Sequence, residues 1–576
     1  MNQKLENILN VSLDATEDEL RKADSLSTGY NWRDNTWEII VKYSGSLESI
    51  RNRYNVYIKE LLNYYAIIVA DKATIELISQ EDVIDYVEKP KSLYYQIERT
   101  KTAACVGSVR ADGNILSGKG VIVGVIDTGI DIFDNAFRNS DGTTRILNIY
   151  DQTTGEKYDK QSIDEYIRLN EDLSGGTFSY DNAPGVDNIM HGTDVSYIAA
   201  GSLGVAYEAD IIAVKMGYSI NNQFPRTTSL MDAIDYIIRK AIEYRKPVAV
   251  NISYGCNYGA HNGNTLLESF IDDISKSYRC VICVGSGNEA DKAIHFGGII
   301  NTGQVQTAYL SVGEYQSAID IQIWKNYWDT IDVMLINPRG EQIGIITEGR
   351  INRYETYNTE IITLLGEPSP YNIYQEIYIN LIPKTDYILS GIWQIVLMAG
   401  SIRAGEYNIW LPSSQALGYA TAFNNPTADG TITIPATARN CIAVGAYNAY
   451  TNSYAAFSGR GFDNSIRNVN AGVKPDITAP GVDISIARQR GNDITYRNVT
   501  GTSYAVPVVT GAAALLMQWG IVMGNDRFMY GEKLKAAFID GSKPVGLVGI
   551  TRNDNQPDPR TGWGAVCLKN TLNKIL

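Results

Sequence analysis

The stretch that decides the fold runs from Asn498 to Leu516 and reads NVTGTSYAVPVVTGAAALL. Gly501–Ser503 has the composition of a tight turn, and the apolar run from Tyr504 predicts a helix too rich in Ala, Val and Leu to face water. A serine at the mouth of a buried helix lies near the positive end of the helix dipole, which suits a nucleophile whose attack creates an oxyanion. We expect Pro507 to be tolerated because the first helical turn has no internal partners for its N–H groups. A capped core helix without a catalytic role is the other interpretation of this stretch.

Three other stretches supply the residue types that a serine nucleophile needs. VIVGVIDTGID contains a buried β-branched strand that ends at Asp127. MHGTDVSYIAAG places His191 at the start of a helix of small residues, and CVICVGSGNEA is a buried strand that runs out to Asn288. The motifs D-T-G, H-G-T, G-N-E and G-T-S-x-A-x-P, in this chain order, resemble those of the subtilisin-like serine proteases.

This resemblance implies a three-layer αβα core with a mainly parallel sheet, and the alternating strands and helices of the chain agree with such a sheet. It also implies that Ser503 attacks the peptide carbonyl, that His191 accepts and returns the proton, and that Asp127 orients His191. The Ser503 N–H and the side-chain amide of Asn288 would hold the oxyanion.

Two short segments match the substrate-binding elements of that family. The first resembles the edge strand that pairs with an extended substrate backbone, a mode that recognises the main chain whatever its sequence. The second resembles the wall of the S1 pocket, where small residues keep the pocket open. The edge segment is Ser253, Tyr254 and Gly255, and the wall segment is Gly285, Ser286 and Gly287.

The remaining histidines, His261 and His295, lie in no family motif, which favours structural or surface roles. Because His295 follows Asn288 closely, a place on the S1 side of the cleft is a second option for it. Many relatives carry H-G-T-H at the catalytic histidine, where this chain has H-G-T-D with Asp194. We expect that departure to leave the catalytic histidine in place.

The N-terminal segment, residues 1–96, predicts a small α+β module. Trp37, Ile39, Val41 and Tyr43 alternate with polar residues as in a half-buried strand, and further strand and helix patterns follow. The module resembles the inhibitory propeptide of the family, which lies in the enzyme's own cleft; an unrelated N-terminal domain is the alternative. The family's spacing before the catalytic aspartate predicts self-cleavage after Gln96, with Tyr94 and Tyr95 in the upstream subsites.

The catalytic domain is expected at residues 97–303 and 426–576, and residues 304–425 carry short alternating strands that predict an inserted β-sandwich of jelly-roll type. Residues 139–186 are expected to be loops around the cleft. In many relatives a calcium loop separates the histidine helix from the next strand, but only Gly201 and Ser202 stand there in this chain, so we expect no metal site and no cofactor.

Together with the Tyr-Tyr-Gln end of the propeptide, the missing calcium loop and the absent signal sequence, this organisation resembles the clostridial germination-specific Csp proteases of spores. In that group the protease activates a cortex-lytic enzyme by removing its pro-segment, and some members have lost triad residues and act as regulators. The resemblance therefore implies limited proteolysis of a protein zymogen that is bound as an extended strand.

Length, charge and cysteine content limit the domain number, the partners and the cellular compartment that we expect. A length of 576 residues predicts two to four domains, and a net charge of −14 argues against nucleic acid and anionic membranes as partners. No apolar run reaches the roughly 18 residues of a membrane span, and the charged N-terminus has no secretory h-region. The six cysteines show no disulfide framework, and Cys280 and Cys283 should point to opposite faces of one strand. We therefore expect synthesis in the cytoplasm, and the resemblance to the Csp proteases implies packaging in the spore.

Two function classes follow from these observations. The first is an active serine endopeptidase, which the presence of all three triad residues favours. The second is a binding or signalling regulator of germination, in which the retained propeptide blocks the cleft. Carbohydrate binding by the β-sandwich is a third idea, but a fold alone does not support it.

Overall fold

A computed structural model describes residues 4–17, 20, 29–61, 64–89, 102–106, 110–111, 114–171, 183–217, 225–346, 351–367, 372–462, 473–490, 493–546 and 557–576. The chain divides into two compact units, Met1–Tyr95 and Gln96–Leu576. Tyr94, Tyr95 and Gln96, on which the predicted cleavage rests, lie outside the described residues. The four predicted domain ranges stay predictions.

The first unit is an antiparallel sheet with helices. Its strands follow the order β1-β2-β4-β3, and β5 pairs with β2. The side chains of Trp37, Ile39, Val41 and Tyr43 are buried and alternate along β2 as the sequence pattern predicts. The elements are α1 (Asn7–Asp14), β1 (Tyr30–Asn31), β2 (Thr36–Tyr43), α2 (Glu48–Tyr54), β3 (Tyr57–Leu61), β4 (Tyr65–Ala70), α3 (Lys72–Ile78) and β5 (Ile84–Glu88).

The second unit is built on a nine-stranded sheet of order β10-β9-β11-β8-β12-β13-β25-β26, with β27 beside β25. All its pairings are parallel except those of β10 with β9 and of β26 with β25. Its strands are β8 (Ile122–Asp127), β9 (Ile146–Asp151), β10 (Glu156–Asp159), β11 (Asp210–Lys215), β12 (Val248–Ile252), β13 (Cys280–Gly285), β25 (Ile442–Asn448), β26 (Ser453–Tyr454) and β27 (Ile477–Pro480), and a separate hairpin joins β6 (Arg110–Ala111) to β7 (Asn114–Ile115).

The prediction that residues 139–186 are loops is wrong in part. Strand β9 joins the central sheet beside β11, and a helix, α4 (Lys160–Glu171), follows β10. The run of residues 146–149 is short and surrounded by polar residues, so its periodicity alone does not predict a strand. Pairing with β11 is what makes it one.

Helices cover both faces of this sheet and complete the predicted three-layer αβα core. Helices α5 and α8 pack on one face and helices α6 and α7 on the other. Cys283 faces the first layer and Cys280 the second, which confirms that these thiols lie on opposite sides of β13. The helices are α5 (His191–Ala200), α6 (Thr227–Tyr244), α7 (Leu266–Ser277), α8 (Thr502–Met517), α9 (Gly531–Asp540) and α10 (Leu568–Ile575).

Between β13 and β25 the chain forms two antiparallel sheets that share one apolar core. One sheet has the order β14-β23-β16-β21-β20-β19 and the other β18-β17-β22-β15-β24. The strands are β14 (His295–Ile299), β15 (Val305–Val312), β16 (Ile319–Asn326), β17 (Ile331–Ile336), β18 (Gln342–Ile343), β19 (Ile351–Glu355), β20 (Thr359–Leu365), β21 (Tyr374–Pro383), β22 (Gly391–Ala399), β23 (Glu406–Trp410) and β24 (Ala422–Phe423). The insert is therefore all β, while the jelly-roll assignment stays a prediction.

Helix α8 shows how the core accommodates a proline. Pro507 is the sixth residue of α8 and lies beyond the first turn. The expectation that it is tolerated because the first turn has no internal partners for its N–H groups is therefore wrong. Proline removes the hydrogen bond to the carbonyl four residues earlier, which is that of Ser503. The Ser253 hydroxyl donates to that carbonyl at 3.3 Å, so a neighbouring strand end supplies the missing donor.

Among the described residues, only the helical stretch Thr502–Val522 is long and apolar enough to cross a membrane, and 89% of its most apolar window is buried inside the protein. Such burial is what a core helix shows, so this stretch is weak evidence for a span.

The structure contains one feature that the cysteine spacing does not suggest. Cys105 and Cys567 form a disulfide across 462 residues of sequence, although we expected none. Beside it, the Leu568 N–H donates to the Ala104 carbonyl at 3.1 Å, which fastens the start of the second unit to α10. Pairing over such a separation depends on tertiary packing and leaves no local spacing signal.

Candidate active site

Asp127 and His191 meet at the carboxyl end of the central sheet. Asp127 is the last residue of β8 and is 1% exposed, and His191 is the first residue of α5. Nδ1 of His191 lies 2.7 Å from Oδ1 of Asp127, and the Thr128 N–H donates to the same oxygen at 2.8 Å. Because Oδ1 faces Nδ1, the outer nitrogen Nε2 is the one left to exchange a proton with a reacting group.

The electrostatics favour a histidine that can hold a proton. Burial alone would lower the pKa of His191, but the charge of Asp127 and its hydrogen bond raise it, and the charge of Asp187 raises it further. Arg497 opposes these carboxylates, and the net pKa lies above the ordinary value of 6.5. The carboxylates of Asp127 and Asp187 thus stabilise the imidazolium that forms when His191 accepts a proton.

Asp187 is a site residue that the sequence reasoning missed. It is fully buried, and Oδ1 accepts the Met190 N–H at 2.7 Å and the Thr128 hydroxyl at 2.8 Å. Oδ2 accepts the N–H and the hydroxyl of Thr193, each at 2.8 Å. Asp187 therefore satisfies the orphan donors at the start of α5 and ties them to the strand end that carries Asp127. An aspartate four positions before the histidine was the only local signal.

The turn before α8 brings Ser503 and Asn288 into the same region. Oδ1 of Asn288 accepts the Thr502 N–H at 3.0 Å and the Thr502 hydroxyl at 3.1 Å, so the amide oxygen is occupied and Nδ2 is directed elsewhere. Gly501 has φ 153°, a conformation that glycine adopts readily, and a Cβ there would lie 3.6 Å from Nδ2. Ser503, the second residue of α8, is half-buried.

Close packing of α8 against α5 places the histidine beside this turn. A Cβ on Gly511 would stand 2.8 Å from the Ala199 carbonyl, so only a residue without a side chain allows the two helices to approach so closely. At their starts, the rings of His191 and Tyr504 have centroids 5.2 Å apart. Tyr504 directly follows Ser503, so one end of this layer holds both residues.

The predicted substrate segments border the same region. Residues Ser253–Gly255 follow β12 outside any described strand, and Ser253 Oγ donates to the Ser503 carbonyl. Tyr254 packs against the apolar layer on the face of the sheet opposite α8. Cys256, the residue that follows Gly255, pairs with Ile434 through two hydrogen bonds of 2.8 Å. Hydrogen bonds within the protein thus hold the chain at both ends of Ser253–Gly255.

The S1 segment begins at Gly285, the last residue of β13. A Cβ on Gly285 would meet Thr502 Oγ1 at 3.3 Å, and one on Gly287 would meet Thr433 Cγ2 at 2.5 Å. The side chain of Ser286 is fully buried, with its hydroxyl 3.3 Å from that of Ser458. Ser286 can therefore contribute only backbone to a pocket wall.

The optional placement of His295 in the cleft is wrong. His295 and His261 are both buried and stack on the ring of Trp410, at centroid distances of 5.0 Å and 4.1 Å. Nδ1 of His261 faces the Ile432 carbonyl at 2.6 Å, and Nε2 of His295 faces Asn408 Oδ1 at 3.0 Å. These contacts join the insert to the catalytic core, and only the folded chain reveals them.

Metal-ligating side chains do not cluster in the part of the chain that the structure describes: no group of three or more His, Cys, Asp and Glu residues is placed to hold an ion. Asp194, which stands where many relatives have a second histidine, is buried in α5 and pairs with two arginines from another element, as detailed below.

Comparison with known proteins agrees with this geometry. Residues 3–91 match the family model of the Csp protease B prodomain, and residues 118–368 and 404–564 match that of the subtilase family. The solved structure of the Clostridium perfringens CspB protease is similar, with 33% sequence identity and a TM-score of 0.75 over 83% of this chain and 97% of that one.

Two curated fungal proteins match over shorter stretches. The subtilase-type proteinase RRT12 of Saccharomyces cerevisiae is 33% identical over 128 residues, which are 22% of this chain and 23% of that protein. Subtilisin-like protease 10 of Arthroderma otae is 34% identical over 120 residues, which are 21% of this chain and 27% of that protein. The match thus spans about a quarter of each curated relative. With the family model covering most of the chain, the protein belongs to the subtilase family of serine endopeptidases and carries a Csp-type prodomain.

Proposed function

We propose that the protein is an active serine endopeptidase that cleaves its own prodomain near Gln96 and then activates a protein zymogen by limited proteolysis during spore germination. A pro-form cortex-lytic enzyme is the proposed zymogen. The observation that supports catalysis best is the 2.7 Å contact between His191 and Asp127, at the helix end that packs beside Ser503.

The proposed mechanism assigns each step to one of these residues. Ser503 Oγ attacks the scissile carbonyl while Nε2 of His191 takes its proton, and Asp127 stabilises the imidazolium that forms. The oxyanion accepts hydrogen bonds from the Ser503 N–H and from Nδ2 of Asn288, which the positive end of the α8 dipole reinforces. Collapse of the intermediate breaks the C–N bond, and His191 returns the proton to the leaving amine. Water then repeats the sequence on the acyl-enzyme.

Two features support a narrow protein substrate: the segment that precedes the catalytic domain, and the similar solved structure. A Csp-type prodomain precedes it, and the similar solved structure is that of a CspB protease. In the same proposal the substrate binds as an extended strand along Ser253–Gly255, and the prodomain occupies the cleft before its release. Synthesis in the cytoplasm and packaging in the spore belong to this proposal, and fractionation of spores tests them.

Intact mass and N-terminal sequencing of the wild type beside Ser503→Ala test the proposal. We expect the wild type to be cut near Gln96 and the variant to stay whole. Cutting of both chains alike would assign the cleavage to another protease. If both stay whole and the wild type also resists a fluorophosphonate probe, the protein is a regulator with a blocked cleft and the proposal fails.

A further inference from the structure

The hairpin that precedes the Ser503 helix carries an unusual set of arginines. Strand β28 (Ile484–Arg490) pairs antiparallel with β29 (Asp493–Val499), and β29 ends four residues before Ser503. Arg488 and Arg490 lie on the first strand and Arg497 on the second. All three guanidinium groups form ion pairs with buried carboxylates of the catalytic core.

Arg488 and Arg497 share one of these carboxylates, that of Asp194. Asp194 is 0% exposed and lies three residues after His191 in the first turn of α5. Nε of Arg488 donates to its Oδ1 at 3.0 Å, and Arg497 pairs with Oδ2. A buried charge is strongly unfavourable unless it is paired, so Asp194 holds both guanidinium groups in fixed places. Arginine suits this role because its fork can serve two acceptors at once.

The second acceptor of both arginines is the carbonyl of Met190, the residue directly before His191. Arg488 donates to it at 2.8 Å and Arg497 at 3.1 Å. Met190 has φ 67°, which is uncommon for a residue with a side chain and persists only where the surroundings hold it. Its N–H is held by Asp187 at 2.7 Å, so the peptide groups on both sides of Met190 are fixed by buried or paired side chains.

We infer that Arg488 and Arg497, anchored on Asp194, are positioning residues that set the orientation of His191 through the Met190 carbonyl. They thereby couple the catalytic base to the hairpin that leads into the nucleophile. The inference rests on the proposed function for the role of His191, although the contacts themselves do not depend on that function.

Arg490 offers a matched control. It lies on the same hairpin, is 46% exposed, and pairs through Nε at 2.7 Å with the buried carboxylate of Asp131. Arg497 is 42% exposed and also pairs with a buried carboxylate. Loss of either arginine therefore removes a similar anchor of the hairpin, but only Arg497 reaches the residue before His191 among the contacts described for the two.

The first test measures His191 without catalysis. The chain has three histidines, so ¹³Cε1 labelling gives three resonances, which His→Gln substitutions assign. In a Ser503→Ala background, Arg497→Gln should raise the titration midpoint of His191, because the charge of Arg497 lowers its pKa while Asp127 and Asp187 raise it. Arg488→Gln should shift or broaden the same resonance. Arg490→Gln should leave it unchanged, and the other two histidines should not respond in any variant.

The second test measures reactivity with Ser503 restored. The rate of fluorophosphonate labelling should fall by about 10- to 100-fold in Arg488→Gln and Arg497→Gln, as expected for misplacement of a base, and by less than about twofold in Arg490→Gln. Arg497→Lys retains the charge but not the fork, so it should restore the titration midpoint of His191 without restoring the full rate.

Equal behaviour of the Arg490 and Arg497 variants, in midpoint and in rate, would reduce both arginines to anchors of the hairpin and overturn the inference. If instead the wild type does not react with the probe while the histidine resonances respond as described, the proposed function fails and the positioning role stands. If the wild type reacts with the probe but the His191 resonance does not respond to substitution of Arg488 or Arg497, the positioning role alone is refuted.

Discussion

Replacing Gly192 by alanine should disable the site by a displacement that the structure allows us to size. Gly192 is buried in the first turn of α5, next to His191. A Cβ there would stand 2.3 Å from the Gly129 carbonyl oxygen and 2.9 Å from Cβ of Asp127. Ordinary van der Waals contacts begin at 3.4 Å, so the helix must retreat by about 1 Å, because backbone atoms cannot swing aside.

That retreat acts on the 2.7 Å contact between His191 and Asp127. A separation lengthened to about 3.7 Å is no longer a hydrogen bond. Misplacement of a catalytic group by 1 Å costs about 100-fold in rate, so we expect kcat to fall by about that factor. The pKa of His191 should also fall, because Asp127 is the main cause of its being raised against the effect of burial.

Single-turnover fluorophosphonate labelling across a range of pH measures both effects, and circular dichroism with thermal melting verifies the fold of the variant. Gly366→Ala is the control, since a Cβ there meets only the Glu376 carbonyl at 3.5 Å. A folded Gly192→Ala protein that labels at the wild-type rate and with the wild-type pH profile would refute the reasoning about this contact.

Three further outcomes follow from the site and from the termini of the catalytic unit. Asn288→Ala should lower kcat by about 10²- to 10³-fold, as expected for an oxyanion donor, and a folded variant whose kcat stays within about twofold of the wild type would contradict that role. Activity requires neutral His191, so kcat/KM should rise with pH through a midpoint above 6.5, and Asp127→Asn should move that midpoint to lower pH; a midpoint at or below 6.5 in the wild type would be inconsistent with the raised pKa. Peptide mapping without reductant should yield a cross-linked pair containing Cys105 and Cys567 that separates on reduction, whereas free thiols at both positions would exclude the bond.

Much of the fold was predictable because its signals are local. The alternation of Trp37, Ile39, Val41 and Tyr43 marks β2 as predicted, and the predicted helix over Tyr504–Leu516 lies within α8. Continuous apolar runs such as that of β13 mark strands buried on both faces, and alternating runs such as that of β2 mark strands with one wet face. The prediction failed where an apolar run was short, as in β9, which lies in a region that we expected to be loops.

The residue types of the candidate site were predictable from the sequence, but the contacts that hold these residues in place were predictable only in part. Asp127 ends a strand, His191 and Ser503 stand in the first turn of a helix, and Asn288 follows the end of β13 by three residues. A short motif reveals each of them. Asp194 was visible as a departure from the family pattern, and a buried charge requires a partner of opposite sign. Nothing in the local pattern identified that partner.

By itself, the amino-acid sequence determined the order of the elements, the buried faces of the strands and the motifs that carry the chemistry, because periodicity and turn composition act over a few residues. The tertiary structure alone decided which distant groups satisfy one another. Ser253 supplies the donor that Pro507 withholds, Arg488 neutralises Asp194, and Cys105 meets Cys567. These partners lie hundreds of residues apart, and a buried polar group demands a partner without specifying where in the chain that partner stands.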